Sequence, residues 1–168
     1  MIYNKYIMNT SEINNHCNKY INVIKTFLER KYRGFKLKKI KIDYSKRRTR
    51  SRGGEYKKGY GISIAMHPIL KNNLKLNVKK YQEYKDFNNH KEIGGFYTKS
   101  LYDYIDAVIC HELSHCIVRF KENEIGLDFD GHGDKFKEIY LSIRKKFLNK
   151  KLPKNQQLLE KEYNNQFK

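Results

Sequence analysis

Residues 111–115 read His-Glu-Leu-Ser-His, inside the apolar run "IDAVICHELSHCIVRF" at residues 105–120. Side chains four apart stand one above the other on a helix, so His111 and His115 present their imidazoles to a common point. Two nitrogen ligands with that bite suit a tetrahedral zinc, whose Zn–N distance is about 2.0–2.1 Å. Glu112 is one residue along. Its carboxylate reaches the open position of such a metal without being a ligand, and there it can take a proton from water. For these reasons His-Glu-x-x-His on a helix is the signature of zinc-dependent peptide hydrolysis. The flanking Ile105, Val108, Ile109, Leu113, Cys116 and Ile117 predict a buried helix, in which a glutamate without a partner would be costly.

A catalytic zinc takes a third protein ligand. A histidine six residues after His115, following a glycine, is one common arrangement, but those positions hold Val118 and Lys121. A glutamate on the next helix is another, and Glu138 is available. It lies, however, among charged positions facing away from the Phe136, Ile139, Tyr140, Ile143 stripe. His132, in "DGHGDKFKEIY", is the better candidate. Gly131 and Gly133 let the backbone turn tightly around it, and the helix that follows fixes its position. Asp128, Asp130 and Asp134 are alternative ligands, and are expected rather as helix caps or as partners that orient the imidazoles. His16, His67 and His90 have no comparable context and read as ordinary surface or strand-end residues.

These residues need elements to carry them. A helix is predicted over 11–33, capped by Ser11, with Ile13, Cys17, Ile21, Ile24 and Leu28 recurring at spacings of three and four. "FKLKKIKIDY" alternates as a strand with a register break near Lys38 and Lys39, and the pair Gly53-Gly54 predicts a turn. "GYGISIAM" is a second strand, ended by His67-Pro68. Residues 69–97 read as an insertion or mobile loop, with "LKLNV" as a short strand and "VKKYQEYKDF" as a short helix. Ser100 and Asp103 form a capping-box pattern that opens the long apolar helix. A Gly- and Asp-rich loop follows from 121, then a helix capped by Asp134 and closed by Pro153. Residues 151–168 form a polar tail or a loosely attached helix. The expected fold is α+β, one domain over residues 1–150, with a small antiparallel or mixed three-stranded sheet covered by helices on one face.

The chain of 168 residues carries a net charge of +18, which predicts attraction to polyanions, nucleic acid first. Lysines outnumber arginines 28 to 8, as an AT-rich coding sequence tends to produce, so part of the charge reflects composition alone. Four of the eight arginines nevertheless fall at Arg47, Arg48, Arg50 and Arg52, beside Lys46 and near Tyr44, Tyr56 and Tyr60. Arginine forks hold phosphates and tyrosine faces stack on unpaired bases, so this basic turn is the expected nucleic-acid contact. The three cysteines include no C-x-x-C pair and suit neither a zinc ribbon nor a disulfide framework. No stretch has the pattern of a signal peptide and no apolar run approaches membrane-spanning length, so a soluble, intracellular protein is expected.

"HELSH" followed by "GHGDKF" resembles the SprT-like metalloproteases, the family that includes Spartan. The order of elements before the His-Glu-x-x-His helix is similar as well, and the resemblance spans roughly residues 10–148. It implies a minimal zincin-like fold, with His111, His115 and His132 as ligands of one zinc ion and Glu112 as general base. It also implies DNA-stimulated cleavage of proteins bound or crosslinked to DNA, single-stranded or distorted. The three scattered cysteines cannot build the C-terminal zinc ribbon that family members often carry. Two other readings stay open: a non-catalytic DNA-binding protein stabilised by zinc, and a general small zinc peptidase without DNA dependence.

Overall fold

The computed structural model describes residues 10–87, 90–129 and 131–168. Along the chain lie α1 (Thr10–Lys31), β1 (Leu37–Asp43), β2 (Arg52–Glu55), β3 (Tyr60–Ala65), α2 (Met66–Asn73), β4 (Lys79–Tyr81) and β5 (Phe96–Thr98). They are followed by α3 (Leu101–Ile125), α4 (Asp134–Phe147) and α5 (Gln156–Asn165). The class is α+β, as expected.

The apolar stripe of α1 is buried: Ile13, Cys17, Ile21, Ile24 and Leu28 are all fully covered. β1, β3 and β2 form a mixed sheet in that order, β1 parallel to β3 and β2 antiparallel to it. The expected break near Lys38 is present as a register shift between Leu37 and Lys39. Ile62 and Ile64 of β3 are buried on the helix side, where the sheet meets α3.

The glycine pair is not a turn. Gly53 and Gly54 lie within β2, paired with Ile62 and Gly61. The reason is steric. β2 passes so close to α3 that a Cβ on Gly53 would sit 1.8 Å from the Glu112 carbonyl oxygen, whereas one on Gly54 would meet nothing within 4 Å. The turn comes later: Tyr56 N–H donates to Gly59 O at 2.8 Å, with Lys57 at φ 49°.

Residues 69–97, expected as an insertion or loop, hold the end of α2, β4, a 3-10 turn at Lys85–Phe87 and β5. β4 and β5 pair antiparallel, Lys79 with Thr98 and Tyr81 with Phe96. Buried Arg144 of α4 fastens this segment, donating to Gly94 O at 3.0 Å between the Phe96 and Tyr140 rings. Beyond α4, the segment expected as a polar tail or a loosely attached helix contains α5, which docks through buried Leu159 and through amides. Gln156 accepts from Tyr97 N–H at 2.7 Å and donates to Tyr97 O at 3.1 Å. Gln166 treats Val78 the same way, at 2.8 and 3.0 Å. Both satisfy backbone groups at the edges of the small ladder, which a purely apolar pattern cannot reveal.

α3 runs through the centre. Ser100 Oγ accepts from Asp103 N–H at 3.4 Å to cap it, and Gly126 at φ 70° ends it, past the expected loop start at 121. Its buried Asp106 receives His16 at 2.7 Å and Lys151 at 2.9 Å, tying three parts of the chain together. His16 is thus a structural tie rather than an ordinary surface residue, its partner lying 90 positions away in sequence. Among the described residues no helix is long and apolar enough to cross a membrane.

The Gly53 contact is testable. Gly53→Ala should cost at least about 2 kcal/mol in a denaturant titration, because backbone must move to relieve the clash. Gly54→Ala should leave stability within about 0.5 kcal/mol of wild type.

Candidate metal centre and its cleft

His111 and His115 lie on successive turns of α3, and the loop between α3 and α4 brings His132 over them. His111 Nε2 lies 3.2 Å from His115 Nε2 and 3.2 Å from His132 Nε2. Four ligands arranged tetrahedrally at about 2.0–2.1 Å from a zinc would stand about 3.3 Å apart. The three imidazoles therefore fit a metal ion, and among the described residues they form the one His/Cys/Asp/Glu group that could hold one. Burial, with charge on His111 and His132 adding to it, pushes His115 down to about 3. The ring is neutral at physiological pH, the form that ligates.

Three contacts hold this geometry. Phe136, fully buried on α4, packs against His111, His115 and His132 with ring centroids 4.5–5.0 Å away. Tyr84 stacks on His132 at 4.0 Å, nearly parallel. The loop itself is tied by Glu122, which accepts from Phe129 N–H at 2.9 Å while paired with Arg119 at 2.8 Å. Helix α4 starts from Gly133 without a side-chain cap. Asp134 is its first helical residue, not the expected cap, and suits the positive end of the helix dipole.

Glu83 is the residue that the sequence reading missed. It is buried, and its Oε1 lies 2.9 Å from His111 Nδ1, off the axis of an ideal N–H bond. Its other oxygen accepts from Tyr81 OH at 3.0 Å and from Tyr140 OH, and Tyr84 N–H donates to Oε1 at 2.9 Å. Burial works to raise the Glu83 carboxyl, but His111, Tyr140 and the Tyr84 N–H together hold it below its ordinary range. A carboxylate behind a metal-facing imidazole fixes the ring's orientation and raises its basicity. Its only trace in the sequence is an acid between Tyr81 and Tyr84, in a stretch without clear periodicity.

Glu112 is buried at 8 % exposure, and burial pushes its carboxyl up to about 7, against the opposing pull of His111 and the Gly53 N–H. With His111 and Glu83 it lines an open cleft of about 400 Å³, walled also by Arg50, Ser51, Tyr81 and Tyr104. A carboxyl near neutrality that lines this cleft with His111 can exchange protons with a molecule in it.

The other candidates are dispersed. Glu138 is exposed and pairs with Lys135, Asp134 pairs with Lys137, and Asp128 faces Arg119 at 3.5 Å. Asp130 lies outside the described residues. The basic turn is divided: Arg50 joins the cleft, Arg48 and Arg52 line the opposite face of the sheet, and Lys46 and Arg47 stay exposed on the turn. His67 is half-buried in the first turn of α2, and exposed His90 accepts backbone N–H groups from Glu92 and Ile93.

Compared with protein-family models, curated proteins and solved structures, the chain matches none of them. The site is therefore read from its own residues.

Glu83→Gln should preserve the fold and weaken zinc binding by about 10- to 100-fold, as loss of a ring-orienting carboxylate does. Competition against a chromogenic chelator reads this directly, and an unchanged affinity would remove Glu83 from the site.

Proposed function

We propose that this protein is a zinc-dependent endopeptidase acting on proteins held on DNA. The observation that carries this reading is the convergence of three imidazole nitrogens, His111 Nε2 lying 3.2 Å from each of the other two, with His111 and buried Glu112 lining an open cleft. Three nitrogen donors, with no fourth His, Cys, Asp or Glu grouped with them among the described residues, suit a catalytic zinc better than a structural one, which is closed by four protein ligands. Zinc, when bound, supplies a Lewis acid for a peptide carbonyl and acidifies water.

The chain's own residues supply the rest. His111, His115 and His132 hold the ion, and Glu83 and Phe136 hold the imidazoles. Glu112 takes the proton of the attacking water as its oxygen adds to the carbonyl carbon. It then passes that proton to the amide nitrogen as the C–N bond breaks. β2 is an edge strand next to this glutamate, and its unpaired side offers backbone groups to an extended peptide. The resemblance of "HELSH" and "GHGDKF" to SprT-like metalloproteases supports the same reading and suggests the DNA-bound substrate. The charge of +18 and the arginine cluster support the DNA part independently.

Purified protein should contain one zinc per chain, and His132→Ala should lose it. Glu112→Gln should keep zinc and DNA binding while cleavage of a DNA-binding protein falls at least about 100-fold. A wild type that cleaves nothing with zinc and single-stranded DNA present would leave the zinc-stabilised DNA-binding protein instead. Equal cleavage without DNA would mark a general zinc peptidase.

A further inference from the structure

The outer face of the three-stranded sheet, turned away from α3, has an unusual surface. The pairing places Lys39, Gly61 and Gly54 in one row across it and Lys41, Ser63 and Arg52 in the next. The middle and one side of the face therefore carry almost no side chain, while long cations rise from β1 and β2. The result is a trough of about 370 Å³. Strands lie about 4.8 Å apart, so its walls stand about 10 Å from each other. Arg48 adds a fourth cation, and Tyr56 closes one end with Lys39 Nζ 4.3 Å above its ring. Glu55 is the single acid in the lining. Asp43 nearby pairs with Lys41 at 2.8 Å and lies 3.8 Å from Arg48, so with Glu55 it leaves the four cations an excess of two positive charges. Ser63 Oγ, itself covered from solvent, has no hydrogen-bond partner among the described residues.

Four cations around a bare floor fit a polyanion whose charges run along a narrow, flexible chain. The two rows are about 6.7 Å apart along the strands, close to one nucleotide of an extended strand. A duplex is too wide to reach the floor between the walls. We infer that a single strand of nucleic acid lies in this trough, with its phosphates on Lys39, Lys41, Arg48 and Arg52. The trough and the metal cleft are back to back on β2. Gly54 floors the first, and Gly53 touches the Glu112 backbone beside the second. The bound strand therefore sits one strand's thickness from the proposed general base. This inference rests on the nucleic-acid half of the proposed function and not on its peptidase half.

The test measures binding alone, on the Glu112→Gln protein, by fluorescence anisotropy of labelled oligothymidylate over a range of salt. Replacing Lys39, Lys41 and Arg52 together by Ala should weaken binding on the order of 100-fold. It should also lower the salt slope by about 2, at about 0.7 per phosphate contact on a single strand. Replacing exposed Lys150, Lys154 and Lys161 removes the same charge away from both the trough and the cleft and should weaken binding by less than about 3-fold. Gly54→Leu fills the floor without changing charge, at a position with room for a side chain, and should weaken binding several-fold with an unchanged circular dichroism spectrum. Equal losses for the two triple variants would overturn the inference. So would wild-type affinity in Gly54→Leu, or no binding by the parent protein.

Discussion

Three converging imidazole nitrogens, that of His111 3.2 Å from each of the other two, are the constraint around which the rest of the molecule is arranged. Lone pairs that converge so closely repel one another unless a proton or a cation lies among them. The arrangement therefore has to be imposed from outside. Phe136 wedges under all three rings, Tyr84 covers His132, and Glu83 stands behind His111. Each of these supports is itself held: Glu83 by two tyrosines and a backbone N–H, Phe136 by the apolar face of α4, and the His132 loop by Glu122. Such nested support gives a site its rigidity, and His111 is the member of the group that lines the cleft.

β2 has a part out of proportion to its four residues. Its inner side lies against the backbone of Glu112, which only a glycine at position 53 allows. Its outer side, through Arg52 and Gly54, forms one half of the basic trough. One thin strand thus separates a surface suited to a polyanion from a cleft suited to proton transfer. In the proposed function this is the shortest path by which a bound nucleic acid could bias the geometry around Glu112, since a shift of β2 moves both surfaces together.

The site was legible wherever its chemistry follows local periodicity. His111, Glu112 and His115 share one turn of an apolar helix, and His132 was marked by glycines just before the next helix. Glu83 was not legible. Its role depends on β4 and on the turn after it crossing α3, in a stretch whose pattern suggested only an insertion. The Gly53-Gly54 pair misled for a related reason: glycine serves both turns and close approaches, and only the position of α3 distinguishes them. α5 was legible only as a polar tail or a loosely attached helix, because it docks mainly by two glutamine amides on backbone, with Leu159 as its one buried apolar residue.

The sequence by itself determined the helical frame of α1, α3 and α4, the strands β1 and β3, and the three histidines with their neighbouring carboxylate. All of these follow from spacings of two, three and four residues along one chain. Only the tertiary structure decided that Glu83 orients His111, that His16 braces Asp106, and that the arginine cluster divides between two faces of one sheet. In each case the partners come from distant parts of the chain or from opposite sides of a strand. Sequence order carries no direct record of which distant groups packing will bring within a hydrogen bond's reach.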